Sequence, residues 1–92
     1  MNEPDDIRLC LLIPHYNHER AIGPLLDKLA PHGLPCVLVD DASSEEARTI
    51  IRELEQRHPW VTVVWRDENG GQGAAKRTGY RFALDAGYTH SL

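Results

Sequence analysis

The stretch Val37–Ser43 reads Val-Leu-Val-Asp-Asp-Ala-Ser, an apolar run that stops at two adjacent carboxylates and a turn of small residues. A short, continuous apolar run is typical of a strand that is buried on both faces of a parallel sheet. In open sheets of this kind, ligands bind in the crevice beyond the carboxyl ends of the strands. The stretch therefore predicts a buried strand with a polar site at its carboxyl end.

Two other segments follow the same design. Leu9–Ile13 runs into Pro14–Asn17, and Val61–Trp65 runs into Asn69–Gly73. Helical spacing of apolar residues follows each of the three strands, which indicates a parallel sheet covered by crossover helices. The predicted fold class is α/β, a Rossmann-like parallel sheet of three strands with the start of a fourth at Tyr88–Leu92. We expect the three polar loops to meet at one edge of this sheet.

The ends of the first two helices are predicted from capping signals. Pro24 suits the first position of a helix, so the first helix is predicted to begin there, after a cap at Gly23. This leaves 15–21 as an ordered loop. Ser43 and Glu46 have the spacing of a capping box for the second helix, which His58-Pro59 ends.

The third helix is predicted to begin near Gly73 and to stop at Gly87. Gly79 within it costs about 1 kcal/mol of helix propensity relative to alanine. Its place on the apolar face predicts close packing against the sheet. That face is predicted to comprise Ala75, Thr78, Gly79, Phe82, Ala83 and Ala86.

The bulk properties describe residues 1–92 as one small domain. A net charge of −4 argues against nonspecific nucleic-acid binding. Cys10 and Cys36 are predicted to be buried free thiols rather than metal ligands. No apolar run approaches the length of roughly 20 residues that spans a membrane, and the acidic amino terminus does not have the design of a signal peptide. These features predict a cytoplasmic location.

Three motifs, in their order and spacing, resemble the amino-terminal half of a family 2 glycosyltransferase. They are Ile13–Asn17, Val39–Ser43 and Asn69–Gly79, and the resemblance extends from Ile7 to His90. The pattern is especially similar to the branch that includes dolichol-phosphate mannose synthases and related polyprenyl-phosphate sugar transferases. This resemblance implies a GT-A fold, a nucleoside-diphosphate-sugar donor and a divalent metal, Mg²⁺ or Mn²⁺, in the full-length enzyme.

The first two motifs supply candidate contacts to the nucleoside. Tyr16 offers a flat face that can stack on a nucleobase, with Pro14 stiffening its approach, although a tyrosine beside a strand end also serves as a lid over the core. Asp40 and Asp41 alternate sides of the strand, so one of them can face the crevice. The resemblance assigns nucleoside contacts to Asp41 and Val39. Without it, the acids equally suit the start of the following helix.

One position departs from the family pattern. His18 stands where the family commonly has a glutamate that contacts the nucleoside. We keep His18 as a candidate binding residue in that place. Glu19 could substitute for the glutamate only if the loop shifts by one residue.

The third motif is a glycine-rich turn that opens a helix. A Walker A loop needs glycine directly before Lys76, where Ala75 stands, and a dinucleotide fingerprint counted from Gly71 needs glycine or alanine in place of Lys76. What remains is a helix start suited to an anion, with Lys76 or Arg77 approaching the donor diphosphate. The alternative is a flexible turn with solvated basic residues.

The resemblance places the metal-binding Asp-x-Asp and the catalytic base after Leu92, so no catalytic residue and no metal ligand is assigned within the chain. The four histidines considered as replacement ligands are too scattered to form a metal cluster: His15, His32, His58 and His90. We expect an amino-terminal part of a longer glycosyltransferase, inactive on its own. Its acceptor would be a polyprenyl phosphate or a saccharide, and later segments would provide any membrane association.

Two other classes stay open as alternatives. A nucleotidyltransferase uses a related sheet but carries a basic, glycine-rich loop after its first strand, where this chain has Pro14–Asn17. A receiver-type or flavodoxin-like binding module would have its acidic pair beside the first strand. The glycosyltransferase hypothesis depends on one arrangement, in which Tyr16, Asp41 and Lys76 converge on a shared cleft.

Overall fold

The computed structural model describes residues 7–92, which alternate between strands and helices. A single turn of 3₁₀ helix, Ala30–His32, follows the first α-helix. The strands and α-helices, in chain order, are β1 (Leu9–His15), α1 (Glu19–Leu29), β2 (Cys36–Asp41), α2 (Glu45–Arg57), β3 (Val61–Arg66), α3 (Gly71–Asp85) and β4 (His90–Ser91).

The four strands form one sheet in the order β3-β2-β1-β4, and each neighbouring pair is parallel. The predicted fold class is therefore confirmed, including a short fourth strand. The register sets His15 beside Asp40 across β1 and β2, and Asp41 beside Arg66 across β2 and β3. These two cross-strand pairs lie at the carboxyl ends of the strands.

Alternation along the strands divides the core into two clusters, one on each face of the sheet. On one face, α1 and α2 cover a cluster of Ile22, Leu26, Cys36, Leu38, Ile51, Leu54, Val61 and Val63. On the other face, α3 covers a smaller cluster of Cys10, Val37, Val39, Ala75 and Ala83. Successive residues of β2 thus point to opposite helical layers.

The predicted start of the first helix is wrong, since α1 begins at Glu19 and contains Pro24. The N–H groups of Ala21 and Ile22 already donate to the carbonyl oxygen of His18, which establishes the helical turn before the proline. Pro24 removes the one N–H that would bond the carbonyl of Arg20. Because Arg20 is exposed, water can satisfy that carbonyl.

The cap of the second helix lies one residue later than predicted. Ser44 is the N-cap of α2, and its hydroxyl accepts a hydrogen bond from the Ala47 N–H at 3.3 Å. Ser43, the predicted cap, is buried; its hydroxyl accepts the Asn17 N–H, and its own N–H donates to Asp40. The helix ends at Arg57, before His58-Pro59, as predicted.

Close packing of α3 on the sheet is confirmed at Gly79. A Cβ at this position would lie 2.7 Å from Cγ2 of Val39 and closer still to the Leu12 side chain, so no side chain fits without movement. The predicted apolar face is wrong at Phe82, which is 37% exposed, and at Ala86, which is also exposed. The residues of α3 that are buried are Ala75, Gly79 and Ala83.

Both cysteines are free and buried. Burial raises the pKa of the Cys10 thiol, and burial together with the neighbouring Cys10 raises the pKa of Cys36 to about 12. Thiols of this kind are unreactive packing groups. Among residues 7–92, no helix has the length and apolar character that crossing a membrane requires.

Candidate functional site

A cleft of about 370 Å³ opens at the carboxyl ends of β1, β2 and β3. Its volume falls within the range of small-molecule sites. The loop after β1, the end of β2 and the first turn of α3 form its walls. The residues that line it are Pro14, His15, Tyr16, His18, Asp41, Asn69, Gly71, Gln72 and Ala75.

Asp41 anchors the glycine-rich wall of the cleft. Its Oδ1 accepts a hydrogen bond from Nε of Arg66 at 2.7 Å, and its Oδ2 accepts one from the Gly71 N–H at 2.8 Å. The Gly70 N–H lies 3.1 Å from both oxygens. A carboxylate at a helix N-terminus is favoured by the free backbone N–H donors and by the helix dipole, so Asp41 fixes where α3 begins.

The charge of Asp41 is stabilised in spite of its burial. Burial alone would raise the pKa of its carboxyl group, but the hydrogen bonds from Gly70, Arg66 and Gly71 and the positive charge of Arg66 outweigh this effect and lower the pKa. The group is therefore a carboxylate at neutral pH. It presents a negative charge and acceptor atoms at the base of the cleft.

Arg66 connects Asp41 to the first two turns of α3. Its Nη1 donates to the hydroxyl of Thr78 and lies 3.5 Å from the carbonyl oxygen of Ala74. Its Nη2 would lie 2.7 Å from a Cβ placed on Gly70, so the guanidinium occupies the space that a side chain at this position would need. The glycine is therefore required for the approach of Arg66.

Asp40 lies on the other face of β2 and is completely buried. Its Oδ1 is 3.0 Å from Nδ1 of His15, and its Oδ2 accepts the Ser43 N–H at 3.0 Å. Nε of Arg48 is 3.7 Å from Oδ2, which completes the ionic surroundings of the carboxylate. Asp40 thus supports the site from beneath and does not line the cleft.

Two hydrogen bonds, one in each direction, join the loops after β1 and β2. The Asn17 N–H donates to Oγ of Ser43, and the Ser44 N–H donates to Oδ1 of Asn17, each at 2.9 Å. Asn17 has φ 50° and Ala42 has φ 62°, values that cost a non-glycine residue about 1 kcal/mol or more. These bonds hold both loops in strained conformations that place Tyr16 at the mouth of the cleft.

The structure brings together some of the predicted site residues and separates others. Pro14, Tyr16, His18 and Asp41 line one cleft. Tyr16 is 46% exposed, as a ring available for stacking should be. Their contacts with a nucleotide stay a prediction.

The other predicted residues lie elsewhere. Val39 is buried in the core beneath Gly79, and Asp40 is buried on the opposite face. Lys76 is exposed on α3 and is not among the lining residues, so the expected convergence holds for Tyr16 and Asp41 but does not include it. Arg77 lines a separate groove on the outer surface of α3, together with Tyr80 and Arg81.

Sequence reasoning missed four residues at this edge of the sheet. Asn69 and Gln72 line the cleft, and their carboxamides can both donate and accept hydrogen bonds. They stand within the glycine-rich motif, so their polarity was a signal in the sequence. His15 and Arg66 act through cross-strand partners, which only the register of the sheet reveals.

A divalent metal does not fit the described residues. Within 7–92, no group of three or more His, Cys, Asp or Glu side chains is placed to hold one. Asp41 is the one carboxylate among the described residues that line the cleft.

An α/β sheet with a polar cleft at its carboxyl edge defines the class of open parallel-sheet folds that bind ligands at this edge. Within that class, the sequence model of the family described as Glycosyl transferase family 2 matches residues 10–86. The chain belongs to this family.

Curated relatives of the chain include transferases that act on lipid phosphates. Dodecaprenyl-phosphate galacturonate synthase of Rhizobium johnstonii is 31% identical, and the match covers 85% of this chain and 25% of the relative. UDP-N-acetylglucosamine--dolichyl-phosphate N-acetylglucosaminyltransferase of Methanococcus voltae is 28% identical, and the match covers 89% of this chain and 38% of the relative. The chain thus spans a quarter to two fifths of the length of these two proteins.

A solved structure shares the fold. The mannosyltransferase PcManGT from Pyrobaculum calidifontis, in complex with GDP-Man and Mn²⁺, aligns with a TM-score of 0.73 and 28% sequence identity. The alignment covers 88% of this chain and 26% of that protein. The predicted GT-A architecture is confirmed by this likeness.

Proposed function

We propose that the chain forms the nucleoside-diphosphate-sugar-binding part of a glycosyltransferase that transfers a sugar to a polyprenyl phosphate. The observation that carries this proposal is the cleft at the carboxyl edge of the sheet, where an exposed aromatic ring and a buried, ionised carboxylate face the same space. Family membership and the lipid-phosphate relatives support the reaction class. A saccharide acceptor and a cytoplasmic location stay predictions.

The proposed nucleoside contacts follow from the chemistry of the lining residues. The Tyr16 ring stacks on the base, because every nucleobase has an apolar face that an aromatic ring can cover. Asp41 keeps lone pairs free beside its three donors and can accept a base or ribose hydrogen. Asn69 and Gln72 supply carboxamide groups that read the polar edge of the ligand. His18 borders the same space, in place of the glutamate that the family pattern has.

The proposed site does not include every predicted residue. Val39 and Asp40 act from beneath the cleft, and Lys76 and Arg77 lie outside it. The described residues that line the cleft thus include no lysine or arginine for a diphosphate, and residues 7–92 hold no group of three or more side chains placed to bind a metal. We propose that the charge of the diphosphate is neutralised by Mg²⁺ or Mn²⁺ bound by residues outside this chain, so the 92 residues alone should not transfer sugar.

Calorimetric titration of the 92-residue chain with UDP and with GDP tests the proposal. We expect weak binding of at least one nucleotide, with Kd of about 1 mM, because a few contacts amount to about 4 kcal/mol. Added Mn²⁺ should leave the affinity unchanged, since the described residues hold no metal site.

Two alanine variants locate the binding. Tyr16→Ala should weaken it about tenfold through loss of stacking. Lys76→Ala, which changes an exposed residue outside the cleft, is the matched control and should bind as the unmodified chain does. Absence of binding at millimolar concentrations of both nucleotides, or sugar transfer by the 92 residues alone, would contradict the proposal.

A further inference from the structure

We propose that His15 is a positioning residue that fixes the Tyr16–His18 loop at the mouth of the cleft, acting as a neutral imidazole with its proton on Nδ1. The expected consequence for nucleotide binding rests on the proposed function. The position of the loop and the tautomer of the ring do not. Neither the family resemblance nor the predicted site gave His15 a role.

The two ring nitrogens of His15 have different partners. Nε2 of His15 lies 3.0 Å from the backbone nitrogen of His18, and Nδ1 lies 3.0 Å from Oδ1 of Asp40. A backbone N–H can only donate, so Nε2 must accept and therefore carries no proton. The neutral ring then has its proton on Nδ1, where it donates to the carboxylate.

Burial makes this arrangement specific. The side chains of His15 and Asp40 are 2% and 0% exposed, so water has little access to the contact between them. The other oxygen of Asp40 accepts the Ser43 N–H, which fixes the carboxylate in turn. Because a buried ring nitrogen is costly to leave without a partner, Nε2 of the imidazole is held to the His18 N–H.

The same residue types could suggest a hydrolytic Ser-His-Asp triad, but the geometry excludes one. Oγ of Ser43 lies 3.5 Å from Nδ1, the nitrogen that already faces Asp40. In a triad, the serine and the aspartate contact opposite nitrogens of the ring. Here the second nitrogen is occupied by the His18 N–H, so the ring has no free nitrogen to take a proton from a nucleophile.

The chain also contains a matched control. His58 is a second histidine beside a carboxylate, with Nε2 at 3.3 Å from Oδ1 of Asp27. Its Nδ1 lies 2.7 Å from the carbonyl oxygen of Leu54. Both partners of His58 accept hydrogen bonds, whereas His15 has one donor and one acceptor. His58 is not among the residues that line the cleft.

The first test is nitrogen NMR of the 92-residue chain, with its histidine side chains labelled with ¹⁵N and without nucleotide. We expect the His15 imidazole, identified as the signal that is lost in His15→Asn, to show a protonated Nδ1 and an unprotonated Nε2 at neutral pH. A His15 ring that carries its proton on Nε2, or on both nitrogens, overturns the proposal. A purely space-filling role would not require either tautomer.

The second test measures the loop with two variants. His15→Asn keeps a donor toward Asp40 but cannot reach the His18 N–H, and His15→Phe removes both contacts. In each folded variant we expect the His18 amide to exchange about tenfold faster and UDP or GDP to bind about tenfold more weakly. His58→Phe should change neither quantity. If His15→Asn keeps the exchange rate and the affinity of the unmodified chain, the proposal is overturned.

The two proposals can fail separately. If the unmodified chain binds neither UDP nor GDP, the proposed function is contradicted. The tautomer of His15 and the exchange rate of the His18 amide are measured without nucleotide, and they decide the role of His15 in either case.

Discussion

Two adjacent carboxylates organise the two walls of the cleft in different ways. Asp40 faces α1 and α2, where it meets the His15 imidazole and lies beneath the loop that carries Tyr16. Asp41 faces α3, where a guanidinium and two backbone N–H groups surround it. The two acids at the end of β2 are therefore not one site, because the alternation of the strand sends one carboxylate to each helical layer.

The two carboxylates also differ in whether they line the cleft or only support its walls. Asp40 does not line the cleft and only supports the loops that form its wall. Asp41 does both, since it fixes the start of α3 and lines the cleft. Substituting each acid by asparagine should thus disturb a different wall of the same cleft.

Asp41→Asn should have the largest effect on stability. The substitution removes the negative charge beside Arg66 and replaces one acceptor oxygen by a donor that opposes the Gly71 N–H. Breaking a buried pair costs about 3–5 kcal/mol, and since the Arg66 side chain keeps 23% exposure, we expect about 2–3 kcal/mol. Urea denaturation measures this cost.

The same variant also shows which wall of the cleft the substitution disturbs. Backbone NMR shifts of Asp41→Asn should change at Gly70 and Gly71 and stay nearly constant at Asn17 and His18. Equal changes on both walls would show that the two acids act as one unit, contrary to the comparison.

Asp40→Asn should cost slightly less, about 2 kcal/mol, and should disturb the opposite wall. The neutral amide leaves Nε of Arg48 without its ionic partner, and this atom has no hydrogen bond within the described residues. The guanidinium keeps its contact with the Trp65 ring and its bond to the Arg66 carbonyl oxygen, which limits the loss.

NMR shifts again provide the measurement, and the change should now appear at Asn17 and His18. The losses of unfolding free energy in the two single variants should add in the double variant, because Asp40 and Asp41 share no hydrogen-bond partner. A coupling above about 0.5 kcal/mol would contradict the separation of the two walls.

Gly79→Ala tests how closely α3 packs on its side of the sheet. The added methyl group would overlap the Leu12 and Val39 side chains, and overpacking costs about 1–3 kcal/mol against a gain of about 1 kcal/mol in helix propensity. We expect a net loss of about 1 kcal/mol by thermal or urea denaturation.

The matched control for this substitution is Gly73→Ala in the same helix. A Cβ there would lie 3.4 Å from Nη1 of Arg77, a flexible and exposed group, so this variant should be neutral or stabilised. A stabilised Gly79→Ala chain would mean that α3 lies farther from the sheet than the structure shows.

Much of the fold could be predicted from local patterns, but the partners of the carboxylates could not. Apolar runs and small-residue turns predict the strands and the edge where their loops meet, and the motifs place Tyr16 and Asp41 in the cleft. The pairing of Asp41 with Arg66 depends on the register of parallel strands, which no local pattern fixes. The direction of Lys76 likewise depends on how α3 turns its Gly79 face to the sheet.

The smallest expected effect is on the pH dependence of the unfolding free energy, and it comes from Asp41. Its folded-state pKa is lowered, so the stabilisation is present above the unfolded-state pKa of about 4 and is lost as the pH falls through the folded value. The difference in unfolding free energy between the unmodified chain and Asp41→Asn should therefore be constant above about pH 5 and shrink in stronger acid. Urea titrations across this range measure it, with Asp40→Asn as a background that keeps Asp41. In that background, the acid-dependent loss should persist. If the difference in unfolding free energy between the unmodified chain and Asp41→Asn stays constant down to the lowest pH measured, the charge of Asp41 contributes nothing to holding the glycine-rich wall.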